Sequence, residues 1–176
     1  MSTKILYSRE EIKRKVASLA DQISKDYKNK KVILVGILDG SFIFMADLAR
    51  ALFDAGLTDF EVNFIGISSY SENRESSKNP QITKDLRVDI SNRHVLIVED
   101  IVDTGYSLDF LNRLLKERNP ASLKTLLLLS KLARREVDVK LDYVGFEIKE
   151  NKWVEGYGLD SGFLGRGNPD IIEKLA

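Results

Sequence analysis

The sequence has no cysteine. That excludes disulfides, thiolate metal sites and cysteine nucleophiles together. It has no excess of either charge: Lys plus Arg and Asp plus Glu both number 27. A nucleic-acid footprint needs a clustered basic surplus, so balance argues against one. No apolar stretch reaches the length of a membrane span, and the first seven residues are too short and too polar for a secretory signal. A cytoplasmic location is the default. Histidine occurs once, at His94, where it opens a strand and reads as structural, and tryptophan occurs once, at Trp153. There is no internal repeat and no linker. With 176 residues, 43% of them apolar, the chain suffices for one domain (1–176) with a sizeable core.

What is present is concentrated in residues 94–108, HVLIVEDIVDTGYSL. Residues 95–98 are an uninterrupted apolar run, as in a strand buried on both faces. Glu99 and Asp100 close it, Asp103 follows, and then Thr104, Gly105, Tyr106 and Ser107. From Leu108 the spacing becomes helical, with Leu108, Leu111 and Leu115 on one face and Leu114 beside it. A strand thus feeds a short loop, and the loop feeds a helix start. Backbone N–H groups there lack intrahelical partners and the helix dipole adds positive charge, so a phosphate is the natural ligand. Gly105 permits close backbone approach, and Thr104 and Ser107 supply hydroxyl donors. The loop has no lysine, so the triphosphate-binding pattern is absent. The ligand expected is a phosphate monoester held by neutral donors. Carboxylates beside a phosphate repel it unless a hard cation or sugar hydroxyls intervene. A sugar diol and Mg2+ against Glu99 and Asp100, with the phosphate one loop away, describes a ribose 5-phosphate.

This stretch resembles the phosphoribosyl pyrophosphate motif of type I phosphoribosyltransferases, most of all their hypoxanthine (hypoxanthine-guanine) branch. The resemblance runs from Val32 to Arg166. It implies an α/β fold, a doubly wound parallel sheet of four or five strands, with a small C-terminal hood (mainly 142–176) and a flexible lid loop. It implies phosphoribosyl pyrophosphate and an oxo-purine base as substrates, Mg2+ as cofactor, no nucleic-acid or membrane partner, and a homodimer or homotetramer. Asp103 is then the general acid/base for the proton on purine N7. Glu99 and Asp100 hold the ribose hydroxyls and the metal, and residues 103–107 hold the 5-phosphate.

The remaining segments fall into place around that stretch. Ser8 and Glu11 form a capping box, and Ile12, Val16, Leu19, Ile23 and Tyr27 recur at helical spacing over about eighteen residues. Val32–Leu38 is a buried strand leading through Leu38, Asp39, Gly40 and Ser41 into a helix with Phe42, Met45, Ala46, Ala49 and Leu52 inward, closed near Gly56. This is a second anion site in outline. By resemblance it is the pyrophosphate loop, with a non-proline cis peptide. Members of the family usually carry Lys or Arg where this sequence has Asp39, which leaves the backbone N–H groups of Asp39, Gly40 and Ser41 as the contacts. Phe60–Tyr70 reads as a strand. Residues 71–92 are polar and weakly periodic, either lid or loop, with 85–88 as a possible short strand pair. The resemblance implies a lid with Ser69 and Tyr70 at its base. The helix after the central motif stops at Asn119 and Pro120. Residues 123–131 are a buried strand ending in Lys131, which in the family donates to the purine 6-oxo group and so rejects adenine. Tyr143–Ile148 is a further strand. Beyond it the indole of Trp153 offers a stacking face. By resemblance the Val154 backbone reads the base edge, Asp160 orients Mg2+, and Arg166 meets pyrophosphate. Two other functions stay open: a xanthine phosphoribosyltransferase, and a nucleotide-binding regulatory protein on the same fold. Asp103 and the balanced charge oppose the latter.

Overall fold

A short strand, β1 (Thr3–Tyr7), leads into Ser8, which caps α1 (Arg9–Asp26). The computed structural model describes residues 2–70, 76–160, 162 and 164–175, with the backbone alone at 69, 70 and 76–78. The capping box is formed in both directions. The Ser8 hydroxyl accepts from the Glu11 N–H at 3.4 Å, and the Glu11 carboxylate accepts from the Ser8 N–H at 2.9 Å. Replacing Ser8 by alanine leaves a helix-start donor unsatisfied and is expected to cost about 1 kcal/mol, read as a lower midpoint in urea unfolding with an unchanged slope.

The main sheet contains β2 (Val32–Leu38), β3 (Phe60–Tyr70), β4 (Ser76–Lys84), β5 (His94–Val102), β6 (Ser122–Lys131) and β7 (Tyr143–Ile148), in the order β4-β3-β2-β5-β6-β7. The run from β3 to β7 is parallel and β4 is an antiparallel edge. Among the described residues the parallel part has five strands, within the four or five expected, and β4 adds an antiparallel sixth. The pleat sends alternate residues to opposite faces. Leu34, Leu96, Val98, Leu126 and Leu128 pack on one side with α1 and with α2 (Phe42–Asp54). Ile33, Val35, Val95, Ile97 and Leu127 pack on the other with α3 (Tyr106–Lys116). Helices on both faces explain why these strands are apolar without interruption. Among the described residues no helix is long and apolar enough to cross a membrane.

Two expectations about local structure are corrected. In α2 the buried residues are Phe44, Met45, Leu48 and Leu52, while Phe42 is 44% exposed and Ala46 also faces out. That helix is apolar on nearly every side, so its spacing did not fix its phase. Residues 85–88 form no strand. The strand lies before them, in β4, where Ile82 pairs with Ile67 of β3. Of the segment expected to act as a lid, residues 71–75 lie outside the described residues.

A second, three-stranded antiparallel sheet joins the two chain ends. β1 pairs with β9 (Ile171–Lys174), and β9 pairs with β8 (Val154–Glu155). Its registers, Lys4 with Glu173 and Val154 with Glu173, tie the N-terminus to the segment that carries Trp153 and Asp160.

Candidate active site

In parallel α/β sheets ligands bind beyond the carboxyl ends of the strands. Here those ends bring Leu38, Val102 and Lys131 to one edge. Register decides which residues meet. Val102 of β5 pairs with Ser130 of β6, so the next residues, Asp103 and Lys131, leave the sheet side by side. A cleft of about 630 Å³ opens there. Its floor is the 99–107 turn, one wall is the 38–40 loop, and the other comes from β8 and the residues after it.

The phosphate turn is built as its sequence requires. Gly105 takes φ 99° as the residue before α3, a left-handed conformation that favours glycine. A Cβ there would also lie 2.7 Å from the Val137 carbonyl oxygen. Gly105 has no side chain to cap α3, which leaves the first N–H groups of the helix to an anion. The turn is braced from behind: the Thr104 carbonyl accepts the N–H groups of Glu136 and Val137, both at 3.0 Å. Thr104, Gly105 and Ser107 line the cleft, whereas Tyr106 turns its hydroxyl to Glu136, donating at 3.0 Å.

Glu99 and Asp100 are both buried and both line the cleft. The Asp100 N–H donates to the Glu99 carboxylate at 3.3 Å. Burial, and then the hydrogen bond and charge of Asp100, push the Glu99 carboxyl well above the usual carboxylate range. Among the described residues no lysine or arginine forms an ion pair with either acid. The cations that line the cleft lie nearer other carboxylates. Arg134 lies 3.0 Å and Lys131 3.7 Å from the Asp103 carboxylate, and Arg166 lies 3.0 Å from Asp160. A buried acid pair without a protein cation suits a hard cation with oxygen ligands, or sugar hydroxyls. Asp160 does not join that pair in a three-acid cluster; among the described residues no such cluster exists.

The 38–41 loop departs from expectation at one residue. The Leu38–Asp39 peptide is cis. Asp39 and Gly40 line the cleft, but Ser41 does not: it is fully buried, and both its N–H (3.3 Å) and its hydroxyl (2.6 Å) donate to the Ile37 carbonyl. Ser41 closes the turn into α2, and its N–H is already used. Gly40 is enclosed on two sides. A Cβ on it would overlap the Asp100 carboxylate, and a Cβ on Gly158 would overlap the Gly40 carbonyl oxygen.

On the remaining wall, Trp153 is 58% exposed at the cleft, so its ring is a surface and not core. Val154 is buried in β8, Lys131 is buried with its end in the cleft, and Asp160 lines it. Arg166 donates to the Gly158 carbonyl at 2.6 Å, and the Gly158 N–H donates back to the Arg166 carbonyl at 3.0 Å. In this structure Arg166 therefore holds the 158–160 turn. Ser69 and Tyr70 end β3, and only their backbone is described. Sequence reading missed Arg134 and Glu136, both in the cleft. The signal was available in outline, since the charged run 134–136 comes two residues after the end of β6 at Lys131, separated by Leu132 and Ala133, yet nothing local shows that it folds back over Thr104.

A family profile described as the phosphoribosyl transferase domain matches residues 2–162. The chain is 43% identical over 169 residues to hypoxanthine-guanine phosphoribosyltransferase of Aquifex aeolicus, covering 96% of this chain and 92% of that one. It is 45% identical over 161 residues to the Dictyostelium discoideum protein of that name, covering 91% and 88%. Among solved structures it is similar to the hypoxanthine phosphoribosyltransferase of Trypanosoma cruzi in complex with the product IMP, with a TM-score of 0.89 and 41% identity over 97% of this chain and 92% of that one.

Proposed function

The chain belongs to the phosphoribosyl transferase family, and we propose that it works there as a hypoxanthine (hypoxanthine-guanine) phosphoribosyltransferase of purine salvage. It joins the base to the ribose of 5-phosphoribosyl pyrophosphate, giving the mononucleotide and pyrophosphate. One observation carries this reading: Asp103, Lys131 and Trp153 share a single cleft with the phosphate turn and the Glu99–Asp100 pair. A carboxylate, an oxo-group donor, a stacking face and a sugar-phosphate cradle are what such a transfer needs.

The residues divide the work as follows. The 104–107 turn holds the 5-phosphate with backbone N–H groups and hydroxyls. Glu99 and Asp100 face the ribose hydroxyls. The bond between C1 and the pyrophosphate oxygen breaks with its electron pair leaving on pyrophosphate, C1 gains oxocarbenium character, and purine N9 takes its place. The proton on N7 passes to Asp103. Glu99 and Asp100 would hold Mg2+, which would supply neutralisation of charge on the leaving group. Lys131 donates to the 6-oxo oxygen, and the base lies against Trp153. The 38–40 loop meets pyrophosphate through the backbone of Asp39 and Gly40. Catalysis is mainly positioning and electrostatics. We place residues 142–176 as the hood over the base, the enzyme in the cytoplasm, and its working state as a homo-oligomer.

The test is a panel of hypoxanthine, guanine, xanthine and adenine with phosphoribosyl pyrophosphate and Mg2+, reported as kcat/KM ratios. Hypoxanthine or guanine leading and adenine rejected is the expected result, while xanthine leading would refute the assignment. Lys131→Met is expected to raise KM for hypoxanthine by about tenfold, with KM for phosphoribosyl pyrophosphate little moved, since only the base loses a charged donor.

A further inference from the structure

Two arginines stand in tandem after Lys131, and the fold uses them differently. Arg135 turns inward and clamps main chain: it donates to the carbonyls of Val102 (3.4 Å), Asp103 (3.3 Å) and Lys131 (3.4 Å) and to the Ser130 hydroxyl (3.1 Å). The backbones of Asp103 and Lys131 are thereby fixed relative to each other. Arg134 turns into the cleft, where it lies 3.0 Å from one carboxylate oxygen of Asp103, Oδ2.

The other oxygen, Oδ1, is buried and has no hydrogen-bond partner among the described residues. The buried Lys131 ammonium is 3.7 Å from it, beyond hydrogen-bond distance. A buried lysine and an unbonded carboxylate oxygen so close together attract strongly, because burial weakens screening. The flexible lysine stem could close the gap, and the fixed backbone would not prevent it. What competes is the charge-assisted contact of Arg134 at Oδ2.

We infer that Arg134 is a positioning residue whose guanidinium holds the Asp103 carboxylate and so keeps Lys131 free to donate to the oxo group of the base. The inference rests on the roles given to Asp103 and Lys131 above. Without Arg134, Lys131 is the one cation left within ion-pair distance of the carboxylate among the described residues, closes onto it and is lost to the purine. The effect falls on the base and its nucleotide, and pyrophosphate binding is untouched.

Calorimetric titration with IMP and, separately, with pyrophosphate and Mg2+ tests this. Arg134→Gln should weaken IMP binding by about fivefold to tenfold and leave pyrophosphate within about twofold. Arg134→Lys should restore IMP binding, because the contact is a single point and not a fork. In the Asp103→Asn background there is no carboxylate charge to capture Lys131, so adding Arg134→Gln should change IMP binding by less than about twofold. IMP binding by Arg134→Gln at the native level overturns the proposal. So does a loss that persists undiminished with Asp103→Asn, or one shared equally by pyrophosphate. Should Lys131→Met bind IMP as tightly as the native chain, the role given to Lys131 is what fails, and the inference falls with it.

Discussion

Asp103→Asn lowers turnover with hypoxanthine by about 10²- to 10⁴-fold, the range for loss of a positioned proton acceptor. The amide keeps the shape of the carboxylate and can still accept from Arg134, which lies 3.0 Å from the native carboxylate. It cannot take up a proton from purine N7 near neutral pH. KM values and the affinity for IMP should therefore move far less than kcat, the pattern of an interaction needed in the transition state alone. Steady-state kinetics with hypoxanthine, set beside IMP titration, separates these quantities. Turnover at the native level would remove Asp103 from proton transfer, and equal losses in binding and turnover would make it a binding residue only.

Gly40→Ala is expected to lower kcat/KM for phosphoribosyl pyrophosphate by about 10²-fold, the scale of an ångström-sized misplacement at a reacting centre. The reason is space. The added methyl would occupy the position of the Asp100 carboxylate, and the Gly40 carbonyl is already pressed by Gly158 on its other side. The loop has no direction in which to yield without moving either the ribose-facing acid or the 158–160 turn. Some stability should also be lost, about 1–3 kcal/mol for overpacking, so melting temperature and far-ultraviolet circular dichroism are measured on the same sample. A folded variant with native affinity for phosphoribosyl pyrophosphate would show that the 38–40 loop is not pyrophosphate's seat.

Local chemistry made much of the architecture readable. Ser8 and Glu11 announce α1 because a capping box needs only neighbours three residues apart. The apolar runs of β2, β5 and β6 announce a covered parallel sheet because helices bury both faces. The change from strand to glycine to helical leucines at residues 98–115 places an anion cradle, since the helix start is itself the binding device. Where one segment suits two arrangements, the reading failed. The helix α2 is apolar around most of its circumference, so only packing against α1 and the sheet turned Phe44 and Leu48 inward in place of Phe42 and Ala46. Ser41 has the right residue type for a donor, but its N–H was already committed to Ile37.

The central α/β order, the phosphate turn and the chemistry that the acids of 99–103 can perform are legible from the residues alone, because all three are properties of neighbours along the chain. Tertiary structure decided which distant groups share the cleft. It set Lys131 beside Asp103 through the β5–β6 register, folded Arg134 onto that carboxylate, coupled Arg166 to Asp160, and paired β1 with β9 across almost the whole chain. Contacts between groups so far apart in sequence depend on strand register and loop closure summed over the fold, and no single segment encodes either.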